Sequence, residues 1–351
     1  MTASENGDRR RFADRPVVVI TGAHGCVGAA VARAFAARGY GVRGLVRTPG
    51  RPAPVAGDWE EHVGDLTEPS SLRGLCEGAD TVVHTAAVVS DWDREEIFWR
   101  INRDGTRSLL DEAQRAGVRR FVYVSTADVF GFRTDIEIDE QAPKLCPPYP
   151  YSLSKLEGER LAWQRSGRGI EVSVVYPTWV FGPGDRHLVP ELVDGLRTRQ
   201  MVYFDRGRTA LELTYSENLG EAIALVATRD EAAGEDYIVG DEYGVTFGEF
   251  LDELARVSGN RPPRFSLPIP VALGVAAASE TVARATRSSK RPLLTRYAIR
   301  SAASGMRYRL AKIRELGYNP RVGLEEGLRR TLADLATEVR EEERWTAPAR
   351  S

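Results

Sequence analysis

The sequence predicts an α/β fold: a doubly wound parallel sheet followed by a smaller C-terminal substrate-binding lobe. Three patterns carry that expectation. Short β-branched runs alternate with helical stretches through the first half of the chain, as in a parallel sheet covered on both faces. A glycine-rich turn, TGAHGCVG (Thr21–Gly28), stands directly between the first strand and the first helix. After Pro177 proline and glycine become frequent, in PTWVFGPGD and RPPRFSLPIP, and the alternation stops.

Val17–Thr21 is a β-branched strand, and Val27–Arg38 is an alanine-rich helix that ends at Gly39. Val42–Arg47 and Glu61–Asp65 read as strands, Ser70–Cys76 as a helix and Thr81–Thr85 as a strand. Asn102–Ala116 is a long helix closing at Gly117, and FVYVS (Phe121–Ser125) a buried strand. A helix over Tyr151–Trp163 leads into a strand over Glu171–Tyr176. Residues 15–176 thus form a nucleotide-binding domain, to which a return segment over 209–240 is added. Residues 177–208 and 241–335 make the second lobe, with a helix over Thr246–Ser258. Residues 1–14 and 336–351 are expected to be flexible tails.

Composition narrows the function. The chain has 351 residues, is 42% hydrophobic and 28% charged, and carries a net charge of −2, with no basic patch for nucleic acid. Cys26, Cys76 and Cys146 are scattered without metal-ligand spacing, so no metal site is expected, and a reducing, cytoplasmic location fits. The polar N-terminus lacks the apolar core of a secretory signal. The apolar run after Pro268, IPVALGVAAASETVARA, is too short to span a bilayer. It reads as a half-buried helix, with a face for membrane or lipophilic ligand as the alternative.

Gly22, Gly25 and Gly28 allow a tight turn and a close approach of backbone to a pyrophosphate. Cys26, Val27 and Gly28 open a helix whose unpaired N–H groups and positive dipole end favour an anion. The second strand bears on which dinucleotide is held. An acid that bonds the ribose 2′-OH is expected at Val46, where none stands, and Arg47 follows. A guanidinium clamps a 2′-phosphate, so NADP(H) is the preferred cofactor and NAD(H) the alternative; Arg51 and His24 are assistants.

Tyr151 and Lys155, in YPYSLSK, are four residues apart and share one helix face. An ammonium beside a phenol favours the phenolate and brings the tyrosine closer to the range of a general acid or base. Ser125 and Thr126 close a strand, where a doubly wound sheet presents its site.

Together TGxxGxxG, GDL, HTAA, NxxGT, VSTADVFG, YxxxK and PTWVFGPGD resemble an extended short-chain dehydrogenase/reductase over roughly residues 15–335, within the NAD-dependent epimerase/dehydratase superfamily. The resemblance implies a Rossmann domain with the adenine flanked by Asp65 and Leu66. It puts Ala86, in HTAA, and Pro177 against the cofactor, and makes Asn102 a structural or proton-relay residue. It makes Thr126 the hydroxyl that positions the substrate oxygen, with Ser125 its understudy. Tyr151 becomes the acid/base, and Lys155 the group that holds the nicotinamide ribose and lowers the tyrosine's pKa. A homodimer through the helices flanking the sheet is a further carry-over.

Three departures separate the branches of this family. LELTYSEN places Leu211 where sugar-nucleotide enzymes carry an arginine for the substrate diphosphate. YPTWVFGPGD has Tyr176 in the place of another arginine, and no second cluster of cations is evident. The LTYSENLGEA stretch, the apolar helix and the closing ELGYNPRVGLEEGLRRT are similar to the 3β-hydroxysteroid dehydrogenase-like branch. The expected activity is that of an NADP(H)-dependent ketoreductase or alcohol dehydrogenase acting on a small lipophilic or polycyclic ketone or secondary alcohol, sterol-like or polyketide-like. A nucleotide-sugar epimerase, dehydratase or 4-ketoreductase is the alternative, and a dinucleotide-sensing scaffold a third class. Trp92, Phe98, Trp99, Trp179 and Phe181 are candidate pocket walls; His187 reads as a surface residue.

Overall fold

The computed structural model describes Phe12, residues 15–133, 137–286, Ser288, Arg291, Pro292 and residues 294–346. Seven parallel strands form the central sheet: β1 (Val17–Thr21), β2 (Gly41–Val46), β3 (Trp59–Val63), β4 (Thr81–His84), β5 (Arg120–Val124), β6 (Glu171–Pro177) and β7 (Asp236–Val239). Their spatial order is β7-β6-β5-β4-β1-β2-β3. The chain steps outward from β1 in one direction and then restarts beside it at β4, with Val18 opposite Thr81. That reversal opens a crevice at the carboxyl ends of β1 and β4, where such sheets bind ligands. All residues of β1, β4 and β5 are buried, which explains their unbroken apolar and β-branched runs.

Helix α1 (Cys26–Ala36) starts directly after the glycine turn and packs on the helix Ser216–Thr228. The two approach closely because Gly220 has no side chain; a Cβ there would lie 2.7 Å from the Ala30 backbone. The long helix expected from Asn102 begins earlier. It runs from Glu95–Phe98 through a π-helical stretch, Trp99–Gly105, into α2 (Thr106–Arg115). Helix α3 (Pro150–Trp163) packs against both of the latter. Gly158 permits this, since a Cβ would come within 2.4 Å of the Tyr123 hydroxyl.

One expected helix is absent. Ser70–Cys76 holds only a short 3₁₀ turn, Pro69–Leu72, followed by turns. Gly74 has a φ of +85°, which breaks the helical path inside the stretch, and Gly78, two residues beyond it, has a φ of +69°.

A second apolar core lies beyond the strand ends, around Phe181, Leu211, Leu213, Tyr215, Phe250 and Leu254. Two strand pairs frame it: Leu213–Tyr215 runs parallel to Trp179–Phe181, and Ala210–Leu211 antiparallel to Val245–Thr246. Thr246 and Glu249 form a reciprocal cap on the helix Phe247–Val257. The chain then re-enters the first core, where Met306, Leu310, Ile313 and Tyr318 are buried. The apolar helix Ile269–Ala285 buries Ala272, Ala276 and Glu280 and exposes Val271, Val275 and Val282. No described helix is long and apolar enough to cross a membrane. The last helix, Leu324–Thr346, continues past the start of the expected tail at residue 336.

Candidate active site

The glycine turn has the shape of a phosphate cradle. Gly22 has φ +67°, and a Cβ there would lie 3.0 Å from the Ala86 backbone, so the loop after β4 closes against the turn. The Ala86 amide donates to Thr21 Oγ1 at 3.1 Å. A Cβ on Gly28 would lie 2.1 Å from the Gly22 carbonyl oxygen; the helix can start this close to the turn only with glycine there. Gly25 caps α1, leaving the first N–H groups of Cys26, Val27 and Gly28 outside the helical ladder. A side chain would fill this cradle, and the residues present fit a dinucleotide pyrophosphate.

Val46 is buried at the end of β2, and Arg47 is exposed just beyond it. The Arg51 guanidinium lies close enough to His24 to help burial push the histidine's pKa down. Glu61 is the nearby acid, but it accepts the Gly50 amide at 3.1 Å and so is tied to the loop backbone. Asp65 accepts from the Thr67 amide and hydroxyl, both at 2.8 Å, which hold its carboxyl below the ordinary range. Leu66 is buried beneath Gly105. Pro177 ends β6 opposite Val239.

Thr126, Tyr151 and Lys155 come together above the end of β5. Thr126 starts a 3₁₀ turn and accepts the Asp128 amide at 3.3 Å; its hydroxyl also lies near enough to the Tyr151 phenol to act on it. Lys155 Nζ donates to the Val124 carbonyl at 2.6 Å and lies 4.4 Å from the centre of the Tyr123 ring. Burial brings the Lys155 pKa down to about 7, with the Glu159 charge opposing.

The tyrosine differs from the expectation. Burial, and after it the Asp128 carboxyl, push the Tyr151 pKa up, with Thr126 opposing. The structure therefore holds Tyr151 as a proton donor through the neutral range. Ser125 is also corrected: its hydroxyl donates to Glu159 at 3.0 Å and is not an understudy for Thr126.

A buried polar scaffold supports these groups. Asn102 accepts the Val88 amide at 2.8 Å and donates to the Val88 carbonyl and to Ser154 Oγ. It thereby ties α3 to the loop after β4. His84 bridges Thr21, at 2.7 Å, and Thr106, at 2.9 Å; burial and the Lys155 charge bring its pKa down to about 3, so the ring stays neutral. Tyr176 donates to Glu159 at 2.8 Å, and Lys144 pairs with the same carboxylate. The residue in the family arginine's place thus serves the interior.

A small cleft lies between the cores. Ala127, Asp128 and Phe132 line it from the β5 side, Thr178 and Trp179 from the end of β6, and Leu211, Glu212, Met306 and Tyr308 from the other segments. Of the five aromatics expected to form walls, only Trp179 lines it. Phe98 and Phe181 are core residues, Trp92 lies under the Arg284 guanidinium, and Trp99 bonds Glu95 on the helix surface. The aromatics beside Tyr151 are instead Tyr297, 6.4 Å away between ring centres, and the Phe132 and Tyr149 rings that contact it. Asp128 accepts the Tyr297 hydroxyl. Nothing in the linear spacing links Tyr297 to Asp128, whereas the VSTADVFG stretch did contain Asp128 and Phe132 follows it closely. His187 is exposed at the start of the helix Leu188–Arg197. Among the described residues no cluster suits a metal ion.

The model of the NAD dependent epimerase/dehydratase family matches residues 18–240. The chain belongs to this family. It is 32% identical to "Sterol demethylase protein B" of Methylococcus capsulatus, over 86% of this chain and 93% of that one. It is 30% identical to a 4-hydroxy-2-methyl-3-oxo-4-farnesyl-3,4-dihydroquinoline-1-oxide ketoreductase of Stigmatella aurantiaca, over 88% and 93%. The crystal structure of gox2253 superposes with a TM-score of 0.75 at 28% identity, covering 93% of this chain and 99% of that one. The family and these likenesses make the chain an NAD(P)-dependent oxidoreductase of the extended short-chain dehydrogenase/reductase type, in the 3β-hydroxysteroid dehydrogenase-like branch.

Proposed function

We propose that the chain is an NADP(H)-dependent ketoreductase or alcohol dehydrogenase acting on a lipophilic or polycyclic ketone or secondary alcohol, sterol-like or polyketide-like. The observation that carries this reading is the cleft between the cores, whose Asp128 also acts on Tyr151. Trp179, Leu211, Met306 and Phe132 line it, and no described lysine, arginine or histidine does. A diphosphate substrate would find no charge-assisted partner there. The names of the two curated relatives, a sterol demethylase protein and a ketoreductase of a farnesylated ring, support the same substrate class.

In this reading the glycine turn and the start of α1 hold the pyrophosphate, Arg47 and Arg51 the 2′-phosphate, and Lys155 the nicotinamide ribose. When bound, the nicotinamide supplies or accepts the hydride. The chain's own residues do the rest. Thr126 Oγ and the Tyr151 hydroxyl hold the substrate oxygen. Tyr151, kept protonated by burial, gives its proton to that oxygen as charge develops on it. A cytoplasmic location and a homodimer go with the reading, the latter checked by light scattering.

The test is NADPH consumption across sterols, aromatic polyketide ketones and keto-sugars, alongside UDP- and dTDP-sugars. Turnover of apolar ketones, lost in Tyr151→Phe, is the expected result. Interconversion of nucleotide sugars without net NADPH loss would overturn it.

A further inference from the structure

Lysine is scarce in this chain. Four stand among its 48 lysines and arginines. Three of the four, Lys144, Lys155 and Lys312, gather around one set of buried side chains. Lys144 pairs with Glu159 and donates to the Tyr176 hydroxyl; Lys312 pairs with Asp236, which accepts from the same hydroxyl at 3.2 Å. Lysine differs from arginine in that burial can take its proton away.

Glu159 stands at the centre. It is buried one turn beyond Lys155 on α3, so the two side chains share a helix face. Both reach the end of β5. Lys155 Nζ donates to the Val124 carbonyl at 2.6 Å, and Glu159 accepts from Ser125, the next residue, at 3.0 Å. Tyr176 and Lys144 supply its other two donors. Three donors on two oxygens suit a carboxylate and leave no acceptor for a carboxylic proton.

The groups that face Lys155 from elsewhere are uncharged. His84, on β4, and Tyr123, on β5, are kept neutral chiefly by burial, and Tyr151 stays protonated. The π-helical stretch presents Asn102, which bonds Ser154. Glu157, only two residues beyond Lys155, points to another face and pairs with Arg160. The Glu159 charge, by contrast, opposes the effect of burial on Lys155.

We propose that Glu159 is a positioning residue for Lys155: its carboxylate keeps the lysine charged inside the fold, and Lys144 sets how much of that negative charge is left for it. The consequence for cofactor binding rests on the ribose contact given to Lys155 under the proposed function; the coupling of the three charges does not.

The test labels the lysines of the full chain with 13C at Cε and follows their titration by NMR, from about pH 5 to about pH 10. Lys155→Met identifies the Lys155 signal among the four. In Glu159→Gln its midpoint is expected to fall by about one pH unit or more, the scale of one opposite charge lost a helical turn away. In Lys144→Met it is expected to rise by about half a unit or more, because a cation is lost and Glu159 is left to Lys155. Glu159→Asp should recover part of the first shift. The pH at which NADPH affinity drops is expected to move with the midpoint in each variant, whereas a packing role alone would weaken binding equally at every pH. A midpoint unmoved in Glu159→Gln, or moved in the same direction by both substitutions, would overturn the proposal. If Glu159→Gln does not fold, Lys144→Met decides it by the sign of its shift, and a midpoint unmoved or lowered there overturns it. Midpoints that shift as stated while NADPH affinity ignores them would sink the ribose contact of Lys155 and leave the coupling standing. An unmoved midpoint with a normal step in affinity would do the reverse.

Discussion

Replacing the glycines of the cofactor turn one at a time by alanine should give a graded loss that the geometry ranks in advance. At Gly28 the new Cβ would lie 2.1 Å from the Gly22 oxygen, 2.7 Å from its carbonyl carbon and 2.9 Å from Ala23 Cα. All three are backbone atoms, and the first is more than an ångström inside the ~3.5 Å at which non-bonded atoms rest. The turn must move away from the helix, which costs about 1–3 kcal/mol as overpacking. The same movement draws the N–H groups of α1 away from the pyrophosphate. Losing one charge-assisted hydrogen bond costs about 1.5–3 kcal/mol, or roughly 10- to 150-fold in Kd. At Gly22 the φ of +67° costs an alanine about 1–2 kcal/mol, and the contacts with Ala86 are 3.0 Å. At Gly25 the backbone is extended, with φ −86°, and the tightest contact is 3.2 Å, so the smallest change belongs there. Fluorescence titration with NADPH and thermal unfolding measure the two effects separately. The expected order of damage to affinity is Gly28→Ala, then Gly22→Ala, then Gly25→Ala. If Gly28→Ala binds NADPH within about threefold of the parent, or Gly25→Ala is the worst of the three, the turn does not cradle the pyrophosphate.

Other outcomes follow from the same geometry. Tyr151→Phe should lower kcat for ketone reduction by about 100-fold or more while NADPH binding stays near the parent value, measured by stopped-flow and titration. The depressed Lys155 pKa gives a signed pH dependence: the ammonium form is disfavoured in the fold and its proton leaves as pH rises through about 7. Cofactor affinity of the free enzyme should therefore fall between pH 6 and pH 8, as roughly ±1 unit brackets a single titration, and Lys155→Met should flatten that step. Tyr151, raised, stays protonated across the same range, so kcat for reduction should not fall there with pH, whereas alcohol oxidation should quicken towards alkaline pH. Arg47→Ala should weaken NADPH by about tenfold or more and NADH little; equal losses would remove the 2′-phosphate assignment. Asn102→Leu strands the Val88 amide and carbonyl and should destabilise the fold by about 2–4 kcal/mol in denaturant titration.

The parallel sheet was legible because its strands are buried on both faces and its helices end in glycine, so both patterns are local. The glycine turn and the Tyr151–Lys155 spacing were legible for the same reason. The Ser70–Cys76 helix failed because the positive-φ Gly74 interrupts an otherwise helical composition. The cleft was the least readable part. Phe181 and Phe98 look in sequence like Trp179, but their burial depends on contacts across the second core. Asp128 meets Tyr297 across 169 positions of chain, and no short-range pattern encodes that pairing. The Tyr151 pKa followed the same logic. Spacing predicted the lysine's influence, while the burial that reverses it depends on residues from distant segments.

Gly184 has a consequence for building hybrids of this enzyme. It sits in the turn after Phe181 with φ +82°, and a Cβ there would lie 3.2 Å from the Cys26 nitrogen at the start of α1. Its amide donates to Asp334 at 2.7 Å, on the final helix. One turn thus joins the start of α1, the strand that frames the second core and the final helix. A chimaera that grafts a foreign substrate lobe at Pro177 must carry its own turn and its own anchor for that turn. Truncation ahead of Asp334 would remove the anchor of this turn, 150 residues upstream, and with it the turn's contact with the start of α1.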